Sequence, residues 1–73
     1  MNGFALGTHV QIKTEKGSVY NNVTGVIISR PVTKEECEFI EGWQKVKFDC
    51  LVHTGERYVA MDIFHPNELV EIG

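Results

Sequence analysis

The stretch Trp43-Gln-Lys-Val-Lys-Phe-Asp-Cys50 alternates residue by residue, the period of a strand with one face on a core and the other in water. Gln44, Val46, Phe48 and Cys50 share one side, and Trp43, Lys45, Lys47 and Asp49 the other. Valine and phenylalanine mark the first side as inward. A half-buried strand is therefore predicted here, and the rest of the chain is legible by the same period.

Upstream, Thr8-His-Val-Gln-Ile-Lys13 sets Val10 and Ile12 against His9, Gln11 and Lys13. The segment Thr24-Gly-Val-Ile-Ile-Ser-Arg30 is rich in β-branched residues, with Val26 and Ile28 expected inside, Gly25 expected at a bulge or sharp bend, and Pro31 ending the strand. Between these two strands, Thr14 to Asn22 holds Gly17, Ser18, Asn21 and Asn22 and reads as a long excursion.

Downstream, His53-Thr-Gly-Glu56 reads as a tight turn around Gly55. Then Tyr58-Val-Ala-Met-Asp-Ile-Phe64 reads as a fourth strand, with Val59, Met61 and Ile63 on one face and Met61 assigned to the core. Pro66-Asn-Glu-Leu69 suits one turn of 3₁₀ helix, after which Leu69-Val-Glu-Ile72 closes as a short fifth strand. Two conformations fit residues 33–42. Thr33 and Glu36 have capping-box spacing, with Gly42 placed to stop a helical turn; alternatively Cys37 to Glu41 begin strand three, in a hairpin whose tip is Thr33 to Glu36.

Five short strands in 73 residues predict an all-β fold, one small barrel domain spanning 1–73 with a thin core. No run approaches the about 18 apolar residues of a membrane-crossing helix. The opening Met-Asn-Gly-Phe-Ala-Leu-Gly7 does not resemble an export signal, so a cytoplasmic location is expected, with Cys37 and Cys50 as free thiols. Asn22-Val-Thr24 then matches a glycosylation acceptor by coincidence.

The net charge of −3 is uneven. Glu35, Glu36, Glu38 and Glu41 fall within seven residues, which leaves six of the ten acids to face all seven bases elsewhere. Nucleic-acid binders draw much of their affinity from Lys and Arg on phosphates, so this balance favours a protein partner over DNA or RNA.

Gly7-x-x-Val10-x-Ile12, Thr24-Gly-Val26, Val46-Lys-Phe48-Asp49 and Pro66-Asn-Glu-Leu69-x-x-Ile72 occur in the order and spacing of an SH3-like barrel. Within that superfold the chain resembles the electron-transport accessory barrels, namely the small barrel protein of photosystem I and the variable chain of ferredoxin:thioredoxin reductase. Those relatives are non-catalytic components that pack on a larger complex, so the resemblance implies an adaptor role. The four clustered glutamates have no counterpart in that pattern.

The chain is also similar in shape to transcription-associated barrels of the KOW or CarD type, which imply a regulator working on nucleic acid or the transcription machinery. A further barrel of this shape is the plasmid-borne type of dihydrofolate reductase. Val10-Gln-Ile-Lys13 echoes a run of that enzyme, but Val59-Ala-Met-Asp-Ile63 lacks its cofactor-contacting residues.

Catalytic patterns are missing: there is no Gly-x-Ser-x-Gly and no phosphate-binding loop. Cys37, Cys50, His53 and His65 are zinc-ligand types, yet they lack the two close pairs of a structural site, and a Cys50 nucleophile beside His53 has no oxyanion hole nearby. The expectation is a non-enzymatic module without metal or cofactor. It would dock on a larger protein or self-associate through a barrel edge and the Trp43 face, with Lys45, Lys47 and Tyr58 beside the tryptophan. Two placements fit Trp43: an outward contact residue near Tyr20 or Tyr58, or a core lid rotated inward by a bulge at Gly42. Glu35, Glu36, Glu38 and Glu41 are either a docking surface for a basic partner or a solvated face.

Overall fold

A computed structural model of the chain describes residues 3–14, 20–49, 51–53, 56–58 and 61–73, with backbone alone for 51–53 and 56–58. The strands are β1 His9–Ile12, β2 Thr24–Ile27, β3 Gln44–Phe48, β4 Leu51–His53, β5 Glu56–Tyr58, β6 Met61–Phe64 and β7 Leu69–Glu71. Five of them form one antiparallel sheet in the order β6-β3-β2-β1-β7, curled into a half-barrel, and β4 pairs with β5 in a separate two-stranded ladder. The stretch expected as a single strand from Tyr58 to Phe64 thus serves two ladders. Among the described residues no helix is long and apolar enough to cross a membrane.

The concave side of the sheet carries Val10, Ile12, Ile27, Val46, Phe48, Phe64 and Leu69, all buried. Full burial of a side chain of this size contributes roughly 1.5–3 kcal/mol. Tyr20 reaches in from the β1–β2 connection, stacking on Phe48 at 4.8 Å and meeting Phe64 edge-on at 6.0 Å, while Phe48 and Phe64 are edge to face at 5.9 Å. These separations suit the quadrupoles of the rings.

On β2 the inward residues are Gly25 and Ile27, not Val26 and Ile28: Val26 is half-buried and Ile28 exposed on the convex side. The run Val26-Ile-Ile28 is apolar at every position, so its own period says nothing about which residue faces in. Gly25 makes no bulge, because the β1–β2 and β2–β3 registers run through it without a break (Val10↔Gly25↔Phe48). Its lack of a side chain matters because β3 passes over it: an added Cβ would stand 2.6 Å from the Lys47 carbonyl oxygen.

On β6 the expected face is reversed. Gln44 pairs with Phe64 and Lys47 with Met61, so Phe64 goes inside and Met61 is outward and 56% exposed. Val59 lies outside the described residues, as do the Gly55 turn tip, Cys50 and most of the excursion from Thr14 to Asn22.

Residues 33–42 take the helical alternative, not the strand. The Thr33 N–H donates to Glu36 Oε1 at 2.9 Å and the Glu36 N–H to Thr33 Oγ1 at 3.2 Å, a reciprocal capping box. A 3₁₀ turn follows over Glu38–Ile40, and Gly42, at φ 87°, ends it. A second capping box, His65 with Glu68, opens the 3₁₀ turn Pro66–Glu68 before β7.

Candidate functional site

With the concave face filled, the surface open to a partner is the convex one. The same pleat that sends Val46 and Phe48 inward leaves Lys45 and Lys47 exposed on the convex face, one strand in from the β6 edge. Register places Ile63 and Met61 beside them on β6 and Val26 across from Lys47 on β2, while the Ile28 N–H donates to the Lys45 carbonyl at 3.0 Å. Ile28 and Met61 are exposed on either side of the lysines, and Val70 and Ile72 are exposed at the β7 edge. One shallow depression is floored by Val26, Ile28, Lys47, Phe48 and Asp49. A second runs from Ile63 and Lys45 past Arg30 to Glu36.

Trp43 is half-buried, intermediate between the two placements expected of it. It precedes β3, held by its N–H to the Ile40 carbonyl at 3.0 Å and by its carbonyl accepting from Val32 N–H at 2.9 Å. The side chain is half-buried, its ring edge-on to His65 with centroids 5.9 Å apart. Tyr20, half-buried, packs its ring against Phe48 and Phe64 of the core cluster, and the Tyr58 side chain lies outside the described residues.

Glu35, Glu36, Glu38 and Glu41 are all exposed. Thr33, donating from its backbone N–H and its hydroxyl, holds the Glu36 carboxyl below the ordinary carboxylate range. Amid these acids stands Phe39, 87% exposed at the middle of the 3₁₀ turn. No sequence signal singles it out, because an acid-flanked aromatic in a segment open to two conformations has no period to reveal its direction.

A polar cluster that no motif announced also lies on the convex face. Asp49 Oδ2 is 2.8 Å from His9 Nε2 and accepts from the Thr24 hydroxyl at 2.7 Å. The His9 bond first, and the Thr24 bond second, hold the Asp49 carboxyl below its usual value. The hydroxyl donates to the carboxylate and not to the imidazole, so the three groups are not ordered as a Ser-His-Asp relay.

Among the described residues no group of three His, Cys, Asp or Glu side chains could hold a metal ion. His65 Nδ1 is occupied in accepting the Asn67 N–H at 3.0 Å, and Cys37 is a half-buried free thiol. No protein-family model, curated protein or solved structure matches this chain.

Proposed function

We propose that this chain is a non-enzymatic binding module that associates with protein through the convex face around Lys45 and Lys47. The observation that carries the proposal is the placement of two exposed lysines between the exposed side chains of Ile28 and Met61. Apolar area there supplies affinity, and the ammonium groups supply orientation. The SH3-like pattern of the sequence supports the same reading, since the barrels it resembles act as accessory components of larger complexes.

The decisive experiment compares wild type with a Lys45→Glu/Lys47→Glu double variant in affinity capture from cell extract. Loss of a stoichiometric protein partner by the folded variant is expected; identical recovery by both proteins rejects the face. The regulator alternative, supported by the same lysines with nearby Arg30, predicts a mobility shift of DNA or RNA that fades steeply as salt rises. No shift at low salt removes it.

A further inference from the structure

Phe39 and the lysine face are complementary in both polarity and charge, and they belong to the same chain. We infer that a second copy of this chain is the occupant of the Lys45–Lys47 face, with the Phe39 turn of each copy seated on the face of the other. The inference rests on the convex face being the binding surface, and it names the partner.

The knob is built to project. Cys37 N–H and Glu36 N–H both donate to the Thr33 carbonyl at 3.1 Å, Trp43 N–H closes the far side on Ile40, and Gly42 N–H donates to the Val32 carbonyl at 2.8 Å. These bonds fix the turn while leaving Phe39 outside, so little conformational entropy remains to be lost when the ring is covered. An aromatic anchor on an ordered turn is the usual centre of an interface hot spot.

The surroundings state the partner's chemistry. Glu35, Glu38 and Glu41 are exposed on the same short segment as Phe39, which calls for a seat that offers apolar area and cations together. Lys45 and Lys47, flanked by Ile28 and Met61, offer both. Glu36 and Lys45 border the same depression, so knob and seat adjoin. A two-fold axis near that depression makes both contacts at once and closes the assembly as a dimer, with no free knob left to propagate a chain.

Sedimentation equilibrium across a wide concentration range is the test. Wild type is expected to dimerise reversibly, less tightly at high salt, and Phe39→Ala to weaken the dimer by about tenfold or more. Phe39 is solvent-facing, so circular dichroism of the variant should match wild type. A charge exchange makes the test specific. Glu35→Lys/Glu38→Lys/Glu41→Lys and Lys45→Glu/Lys47→Glu should each be monomeric alone, because knob and seat then carry like charge. Mixed, they should form a heterodimer in which both contacts are complementary. A monomeric wild type at the highest concentration, or a dimer indifferent to Phe39→Ala and to the charge exchange, overturns the inference. If capture by the lysine face still yields a foreign protein in that case, the binding-module reading stands and the self-association alone has failed.

Discussion

Gln44 and Phe4, forty residues apart, exchange two hydrogen bonds: Gln44 Oε1 accepts the Phe4 N–H at 2.8 Å, and Gln44 Nε2 donates to the Phe4 carbonyl at 2.8 Å. The same Nε2 donates to the Ser29 carbonyl at 2.9 Å. Gln44 is fully buried, and its amide stands in for a strand partner that the segment before β1 would otherwise lack. Gln44→Leu keeps the volume but strips three backbone groups of their partners. It should cost about 3 kcal/mol, in line with three part-buried groups left unsatisfied at about 1 kcal/mol each. Urea unfolding would measure the loss, and amide exchange should show the Phe4 N–H losing protection.

Two glycines should fail for different reasons. At Gly25 the added methyl meets the Lys47 carbonyl and Val46 Cγ1, both at 2.6 Å, so Gly25→Ala must push β2 from β3 and is expected to lose about 2–3 kcal/mol. At Gly42 nothing lies within 4 Å, and only the φ of 87° resists a side chain. Gly42→Ala should cost about 1 kcal/mol. Equal effects in thermal melts would contradict the close passage of the strands.

The His9–Asp49–Thr24 cluster predicts an acid limb of stability. The Asp49 carboxyl lies lower in the folded chain than its reference value of 3.8, so the unfolded chain takes up the proton first. The contribution is therefore fully present above that value and fades as pH falls through it towards the folded pKa. Both side chains are 43% exposed, which keeps the effect small and salt-sensitive. Asp49→Asn should flatten the stability profile below about pH 4 while leaving its shape at neutral pH. A profile unchanged by the substitution would show that the cluster does not couple to folding.

The register of β6 can be tested by a pair of substitutions. Phe64→Ala removes a ring that packs on both Tyr20 and Phe48, and should cost about 3–5 kcal/mol, most of the stability available to a domain this small. Met61→Gln, on the opposite face, should stay within about 0.5 kcal/mol. The reverse ranking in denaturant melts would mean that β6 presents its other face.

Much of the architecture is legible in local pattern. Val10, Ile12, Val46 and Phe48 are core residues because each alternates with polar neighbours, so a strand period has only one way to bury them. The capping boxes at Thr33 and His65 act over three residues, and the Thr33 spacing and the proline opening the last turn are visible in the sequence. Where alternation is ambiguous the period has no purchase. Val26-Ile-Ile28 offers an apolar residue to both faces, and Met61 and Phe64 are apolar on opposite ones.

The sequence by itself determined an all-β chain of short strands with one small core, because hydrophobic alternation and turn chemistry act between near neighbours. Only the tertiary structure decided that Ile27 and Phe64 are inside, that Trp43 lies edge-on to His65, that Gln44 closes the Phe4 segment and that Phe39 stands free. Each of these depends on strand register or on contacts between residues far apart in the chain. Strand register is a choice among pairings with similar local energies, and the packing of the whole sheet makes that choice.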